Sequence, residues 1–190
     1  MSRIRTFIAV DPDKAIRNRL VSLQESLAAV DSDIKWVEPE NLHVTLLFLG
    51  EVEDRQLSEV CRIVQACADR HEAFLMTVEN VGAFPNLHRP RVVWAGIGEG
   101  KQELCALHDE LEIPMQDLGY RREERRYTPH ITLGRIRNKG PASGLAQALN
   151  KKTGWKAGET QIREIHVMSS ELTPQGPVYT VMSKAKLKSS

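Results

Sequence analysis

The sequence lacks the features of membrane-spanning and disulfide-bonded proteins. No apolar run approaches the roughly 20 residues that a membrane helix needs. The apolar run near the N-terminus is broken at Asp11, so we expect no signal peptide. There are only three cysteines, without a C-x-x-C pair: Cys61, Cys67 and Cys105. This cysteine usage argues against a disulfide or zinc framework and predicts free thiols in a reducing cytoplasm.

The sequence also lacks an excess of charge of one sign. It contains 26 Lys and Arg residues against 25 Asp and Glu residues, a formal net charge of +1 at pH 7. This balance argues against a protein that wraps long duplex nucleic acid, although a local basic pocket stays compatible with it. With 190 residues, 41% hydrophobic and 27% charged, the composition is that of an ordinary globular protein. We expect residues 1–190 to form a single bilobal domain, a monomer with no membrane partner.

Segments with strand-like and helix-like periodicity follow one another along the chain, which predicts an α+β fold. Asp11 and Pro12 have the residue types of a helix N-cap and first turn, Gly50 is typical of a strand end, and Pro114 predicts the end or a kink of a helix. The predicted strands cover residues 4–10, 42–49, 74–81, 91–97, 130–136, 162–172 and 178–187. The predicted helices follow Pro12 as far as about Asp31 and then cover residues 57–68, 104–111 and 142–152.

An internal repeat is visible in two similar quartets. His43-Val44-Thr45-Leu46 and His130-Ile131-Thr132-Leu133 differ only by Val for Ile, at an offset of 87 residues. The same offset places strand 4–10 on strand 91–97, with Phe7 on Trp94. The ranges 4–46 and 91–133 therefore predict two similar lobes with antiparallel sheets, related by an approximate two-fold axis.

The paired quartets suggest acid–base chemistry at one shared groove. Alternate residues of a strand share a face, so His43 and Thr45 project together, and so do His130 and Thr132. A two-fold axis would bring both imidazoles and both hydroxyls around one small space. One neutral imidazole can take a proton while the other, protonated, donates one, and the hydroxyls can bind phosphate oxygens. Two imidazoles with pKa values of about 6.5 would give a bell-shaped pH–rate profile with an optimum around neutrality.

The quartets also have simpler interpretations. A single H-x-T segment favours a core histidine and an ordinary strand threonine over a functional site. Two copies in matching context favour the functional interpretation. Because Thr stands where a zinc site would supply a further ligand, the pattern favours chemistry without a metal or another cofactor.

The sequence resembles the 2H phosphoesterase superfamily, and most closely the bacterial RNA 2',3'-cyclic phosphodiesterases, also known as the 2'-5' RNA ligase family. The resemblance covers nearly the whole chain. It rests on RTFIAV, ENLHVTLLFLGEV, VGAFPNLHRPRVVWAGI, YTPHITLGRI and LTPQGPVYTV. It implies two α+β lobes around a groove, with His43 as proton donor and His130 as proton acceptor. It further implies RNA ends or nucleotides with a 2',3'-cyclic phosphate as substrates.

The resemblance also places Arg135 beside the phosphate. Strict alternation from His130 would put Arg135 on the opposite face, unless Gly134 bends the strand. A solvated arginine at the strand end is the alternative. The activity itself leaves alternatives open too: 2'-5' phosphodiester cleavage, its reversal as ligation, or a module that binds RNA ends without turnover. Loop arginines and aromatic residues near the motifs are further candidates for RNA contact, although a solvated loop is the better explanation of the arginines and core packing that of each aromatic residue: Arg121, Arg122, Arg125, Arg126, Trp36, Phe84 and Tyr127.

Overall fold

A computed structural model describes residues 3–30, 33–137 and 144–189. In chain order, the first group of elements comprises β1 (Arg3–Val10), α1 (Lys14–Ala28), β2 (Ile34–Trp36), a 3₁₀ turn (Pro39–Asn41), β3 (Val44–Glu53) and α2 (Asp54–Ala68). The second group comprises β4 (Phe74–Phe84), β5 (Val92–Ile97), α3 (Lys101–Asp117), β6 (His130–Ile136) and α4 (Leu145–Asn150). The chain ends with β7 (Lys156–Ile162), β8 (Glu164–Thr173) and β9 (Gly176–Lys186).

The nine strands of the described residues form one antiparallel sheet with two recognisable halves. The strand order is β7-β4-β5-β6-β3-β1-β8-β9, and β2 pairs with β6 beside this path. The halves meet where β6 and β3 pair through Val44 and Ile131. Val44 and Ile131 are the middle residues of the two H-x-T segments, so these segments lie side by side at the midline of the sheet. The predicted α+β class with antiparallel strands is confirmed.

The helices cover one face of the sheet and cross over between its halves. Helix α1 packs against β6 and β7, whereas α3 packs against β3 and α2. The main hydrophobic core lies between these helices and the sheet, and it includes the alternate motif residues Val44, Leu46, Ile131 and Leu133. The opposite face carries a separate small cluster of Phe7, Ala9 and Met168. We call this second face the open face.

The structure also bears on membrane-spanning helices and on the state of the cysteines. Among the described residues, no helix has the length and apolar character to span a membrane. Cys61, Cys67 and Cys105 are all free thiols, as the cysteine spacing predicts.

The first helix begins two residues later than the sequence predicts. The prediction of Asp11 as N-cap is wrong: Asp13 is the N-cap, and its Oδ1 accepts a hydrogen bond from Ile16 N at 2.9 Å. Asp11 remains at the end of β1, where its side chain is available for another partner. The predicted end of this helix near Asp31 lies outside the described residues, as do residues 142 and 143 of the fourth predicted helix.

Gly50, which is expected at the end of a strand, and Pro114, which is expected to end or kink a helix, both lie inside their elements. Gly50 has a φ of 74° and β3 continues past it to Glu53, because the glycine adopts a left-handed conformation next to a register shift. Pro114 lies within α3, which continues to Asp117. The next residue, Met115, is buried in the core, so packing compensates for the hydrogen bond that proline cannot donate. Strand β7 was not predicted, because Gly158, with a φ of 121°, interrupts its alternating pattern.

The superposition of residues 4–46 on 91–133 stays a prediction, and the strand registers show where a uniform offset does not hold. Val10 lies opposite Val44, as the end of β1 pairs with the start of β3. In the other half, Ala95 lies opposite Ile131, whereas the 87-residue offset would place Ile97 there. The first strands of the two halves therefore differ by two residues in register while the motif strands correspond.

Candidate active site

His43 is fixed immediately before β3 by hydrogen bonds on both ring nitrogens. Its Nδ1 lies 2.6 Å from the backbone oxygen of Asn41, which can only accept, so Nδ1 carries a proton. Its Nε2 lies 2.9 Å from Thr45 Oγ1, as the shared strand face predicts. The Asn41 side chain donates to Pro177 O at 3.0 Å and ties this turn to the β8–β9 hairpin. The reactive position of the ring is therefore Nε2.

His130 is anchored in the same way at the start of β6. Its Nδ1 lies 2.7 Å from the backbone oxygen of Thr128, again two residues earlier in the chain. The Nδ1 proton is thereby assigned, and Nε2 is the nitrogen that can accept or donate a proton at the site. The two histidines thus have the same tautomer and the same kind of backbone anchor.

A bulge in β6 places Arg135 on the open face. Thr132 pairs with Trp94, but Gly134 pairs with Val93, so Leu133 is an extra residue in β6. Beyond this bulge Arg135 lies opposite Val92, which shares a face of β5 with Trp94. Arg135 therefore projects to the same side as Thr132. The expectation from strict alternation is wrong, because the extra residue Leu133 returns Arg135 to the face of the sheet that carries His130 and Thr132.

The two histidines lie near enough to influence one another. Burial lowers the pKa of His43, and the positive charges of Arg17 and His130 lower it further. Burial also lowers the pKa of His130, and the nearby Arg135 guanidinium adds to this effect. One charge acts in the opposite direction: the Asp11 carboxylate raises the pKa of His43.

Aromatic rings border each imidazole. The ring centroid of His43 lies 5.0 Å from that of Phe7 and 5.5 Å from that of Tyr179, with Tyr179 edge-on. The centroid of His130 lies 5.0 Å from that of Phe84, also edge-on. Phe84 packs in turn on Trp94, with centroids 5.3 Å apart. These rings restrict water around the imidazoles, which accounts for the lowering of both pKa values by burial.

Buried polar side chains hold the motif strands from behind. Leu46 O, one residue after Thr45, lies 2.7 Å from His108 Nδ1 of α3. In the other half, Gln24 Nε2 of α1 donates to Leu133 O at 2.9 Å. Each bonded carbonyl belongs to the last residue of a quartet, so the two contacts are equivalent. Val44–Ile131 is the one residue pair between β3 and β6 among the described residues, and these side chains add hydrogen bonds to carbonyls close to that pair. Leu133 O also accepts a hydrogen bond from Val37 N at 2.8 Å.

Tyr127 connects the two motifs directly. It precedes His130 by three residues, and its hydroxyl donates to Thr45 O at 2.8 Å. Its ring stacks on His108, with centroids 4.2 Å apart and an interplanar angle of 7°. The segment that leads into the second motif therefore fixes the backbone of the first.

A buried histidine pairs with carboxylates beside His43. His166 Nδ1 lies 3.2 Å from Asp11 Oδ2, and His166 Nε2 lies 2.7 Å from Glu164 Oε1. The Asp11 carboxylate raises the pKa of His166, against the effect of burial, and Glu164 adds to the rise. Burial alone would raise the pKa of Asp11, but the His166 partner holds it below its usual value. This ionic group carries a charge next to the first motif.

One group of the described residues has metal-ligand types at close range, and it lies away from both motifs. Cys67, His71 and Glu110 lie between α2 and α3, with their ligand atoms within 4.8 Å of one another. Glu110 is already ion-paired with His71 at 2.5 Å and with Arg70. Burial raises the pKa of the Cys67 thiol to about 12, which disfavours the thiolate that binds metals. An ion pair between the helices explains this group.

The other residues considered from sequence fall into two sets. Phe84 contacts His130, and Tyr127 bonds Thr45 O while its ring packs against the core, as Trp36 also does. Of the loop arginines, Arg122 pairs with buried Glu112 at 3.1 Å and Arg121 with Glu124 at 3.2 Å. Sequence reasoning gave no role at the site to several residues that contact or hold the motifs, since only the folded chain brings them there: Asp11, Gln24, His108, His166 and Tyr179.

Two paired H-x-T segments on the open face of this sheet define a protein of the 2H phosphoesterase class. The family model of LigT-like phosphoesterases matches residues 10–94 and 97–179. The chain belongs to this family.

Relatives with curated names share most of their length with this chain. An Archaeoglobus fulgidus protein named RNA 2',3'-cyclic phosphodiesterase is 40% identical over 177 residues, with 93% of this chain and 96% of that protein covered. A Methanothermobacter thermautotrophicus protein of the same name is 35% identical over 185 residues, covering 97% and 100%.

Solved structures share the fold. A crystal structure of a Thermus thermophilus protein has a TM-score of 0.83 at 29% identity, covering 97% of this chain and 98% of that one. E. coli LigT complexed with 3'-AMP has a TM-score of 0.78 at 23% identity, covering 98% and 99%. The second similarity is one of fold alone.

Proposed function

We propose that this protein hydrolyses RNA or nucleoside 2',3'-cyclic phosphates to 2'-phosphomonoesters, without a metal, by acid–base catalysis with His43 and His130. The observation that carries the proposal is the matched anchoring of the two imidazoles. Each has its Nδ1 proton on the carbonyl two residues earlier, which leaves Nε2 for proton transfer. The names of the curated relatives support the same substrate class.

The proposed reaction is an attack of water on the cyclic phosphorus. Neutral His130 accepts a proton from the water through Nε2 as the new P–O bond forms. The P–O3' bond breaks, and protonated His43 donates its Nε2 proton to the leaving O3'. The product is a 2'-phosphomonoester with a free 3'-hydroxyl. Proton exchange with solvent then restores the initial state of both imidazoles.

The remaining groups at the site bind the phosphate. In the proposal, the hydroxyls of Thr45 and Thr132 donate to non-bridging oxygens, and the Arg135 guanidinium stabilises the charge of the transition state. Thr45 Oγ1 now pairs with His43 Nε2, so phosphate binding would exchange one partner of this hydroxyl for another.

Nearby charges support the assignment of acid and base. Burial and Arg17 lower the pKa of His43, and the Asp11 carboxylate opposes this lowering, which favours the protonated form that a proton donor needs. The Arg135 guanidinium lowers the pKa of His130 and favours its neutral form, as a proton acceptor needs. The two motifs alone could not distinguish the roles, because a two-fold arrangement is the same from either side.

We further propose that the protein acts as a monomer on RNA ends, since one chain supplies both histidines and both threonines. The cytoplasmic location stays a prediction. Cleavage or ligation of 2'-5' phosphodiester bonds uses the same groups in the same roles, so product analysis separates these activities.

The direct test uses cytidine 2',3'-cyclic phosphate as substrate in the presence of EDTA. We expect turnover to cytidine 2'-phosphate, identified by phosphorus NMR, and its loss in His43→Ala and His130→Ala. His71→Gln, a histidine between α2 and α3, is the matched control and should keep the activity. Turnover that disappears in EDTA and returns with Zn²⁺ or Mn²⁺ would contradict the metal-free mechanism. Tight binding without product would indicate a binding module.

A further inference from the structure

Two cations lie side by side on the open face. Lys35 of β2 is directly opposite Arg135 of β6 in the antiparallel pairing. Residues opposite one another in such a pair project to the same side of the sheet. Because the bulge in β6 turns Arg135 to the open face, Lys35 projects there as well. Its neighbour Ile34 is buried on the helix-covered side, in keeping with this alternation.

Lys35 also approaches the hairpin that borders the first motif. Its Nζ lies 3.8 Å from the position that a Cβ on Gly176 would occupy. The next residue, Pro177, accepts the hydrogen bond from Asn41, whose own carbonyl anchors His43. The ammonium group therefore lies between β2 and the β8–β9 hairpin, on the side of the histidines.

Neither cation has an anionic partner among the residues that the structure describes. Within the described ranges, no carboxylate oxygen comes within 4.0 Å of Lys35 or Arg135. Two other lysines of the sheet are ion-paired: Lys156 lies 3.5 Å from Glu79 and Lys184 lies 3.2 Å from Glu164. In a chain with a net charge of only +1, adjacent unpaired cations mark a local site for an anion.

We propose that Lys35 binds a second phosphate of the substrate, the one on the 5' side of the terminal nucleotide. This inference rests on the proposed function, in which Arg135 and the motif residues hold the cyclic phosphate. An ammonium group binds phosphate as a point charge, and single-stranded RNA supplies one charge per nucleotide. Lys35 thereby makes the site favour an RNA end over a nucleoside cyclic phosphate that lacks a 5'-phosphate.

The test compares three substrates that differ only on the 5' side: cytidine 2',3'-cyclic phosphate, its 5'-phosphorylated form, and the dinucleotide ApC with a terminal 2',3'-cyclic phosphate. For the wild type we expect kcat/KM to be about threefold to fivefold higher for the second and third substrates, through a lower KM. Lys35→Gln should bring the ratio of the second to the first substrate close to one. Lys35→Arg should retain most of it.

Salt dependence gives a second measurement. For the 5'-phosphorylated substrate, log kcat/KM should fall more steeply with log salt in the wild type than in Lys35→Gln, by a slope of about 0.7. Lys101→Gln, which removes an exposed charge at the start of α3, is the matched control and should change neither the ratio nor the slope difference.

The outcomes separate this inference from the function on which it rests. If no cyclic phosphate is hydrolysed, the proposed function is wrong. If all three substrates are hydrolysed alike by the wild type, or if Lys35→Gln keeps the preference, the second phosphate site is wrong and the function stands. A preference for the dinucleotide without one for the 5'-phosphorylated nucleotide would assign the gain to the second nucleoside and overturn the inference.

Discussion

The two halves of the site have the same framework and differ in their charged neighbours. In each half a histidine is anchored through Nδ1 and bordered by an edge-on aromatic ring, and in each half a helix side chain holds the motif strand. The His43 half adds the Asp11 carboxylate and the Arg17 guanidinium, whereas, among the described residues, the His130 half adds the Arg135 guanidinium alone. In the proposed mechanism the repeat supplies two histidines with the same anchoring, and their charged neighbours make them unequal.

The largest expected effect comes from removing either imidazole. His43→Ala and His130→Ala should each lower kcat by roughly 10²–10⁴, with smaller changes in KM, because both act in the transition state. The double variant should lose less than the product of the two single losses. Steady-state kinetics with cytidine 2',3'-cyclic phosphate measures these effects.

A substrate with an activated leaving group distinguishes the halves. Such a group needs no proton, so it should restore turnover in His43→Ala and not in His130→Ala. Restoration in His130→Ala alone would reverse the assignment of acid and base. Full activity in either variant with the natural leaving group would contradict catalysis by that histidine.

The next effect concerns the pH profile. Burial lowers the pKa of both histidines, so the bell-shaped profile of kcat/KM should be centred below about 6.5 and not near neutrality. Asp11→Asn removes the charge that raises the pKa of His43, so the alkaline limb should move to lower pH. Glu164→Gln changes the other partner of His166 and leaves Asp11 in place. A shift of equal size in both variants would show that Asp11 does not act on His43 through its charge.

A smaller effect is expected from Tyr127→Phe. The change removes the hydrogen bond to Thr45 O, and a net loss of about 0.5–1.5 kcal/mol corresponds to roughly 2- to 10-fold in kcat. Because the bond holds the His43 half, the loss should shrink with an activated leaving group. Tyr120→Phe is the matched control, since its hydroxyl bonds Gln56 at 3.1 Å, away from the motifs. An equal loss in both variants would remove the positioning role.

The smallest effect is on stability. His166 has a raised pKa in the folded protein, so its charged form stabilises the fold below the unfolded pKa of about 6.5, and this contribution is lost as pH rises through the folded value. The free energy of unfolding of the wild type should therefore fall relative to that of His166→Gln between about pH 6.5 and the raised pKa. Urea denaturation at several pH values measures the difference. A constant difference across this range would show that His166 is not held in its charged form.

Much of the candidate site could be predicted from sequence because its signals are local. Alternation within an H-x-T segment is a property of any strand, so the shared face of His43 and Thr45 followed from the spacing. Arg135 could not be placed, because the bulge at Leu133 depends on the register with β5. Lys35 was missed for a similar reason, since its position follows from pairing with β6, a strand far away along the chain.

The fold was predictable to the same extent. Strand and helix periodicity identified most elements, and the repeat identified two related halves. The start of α1 was misplaced because Asp11 and Asp13 are both suitable N-caps, and the choice is made by contacts with distant residues: Asp11 binds His166, while Thr160 Oγ1 accepts from Asp13 N at 3.1 Å. Such contacts are not encoded in any short window of sequence.

The exchange of helices between the halves has a consequence for how the chain reaches its native state. Helix α1 covers β6 and β7, and α3 covers β3, while α2 packs on β3, β8 and β9, so each half-sheet is shielded in part by a helix that is connected to the other half. A fragment containing one half would expose part of the apolar side of its own strands. The two halves are therefore expected to form in one cooperative transition, and cleavage between β4 and β5 should not release a stably folded fragment. The internal repeat is one of sequence and geometry, and not of independent folding.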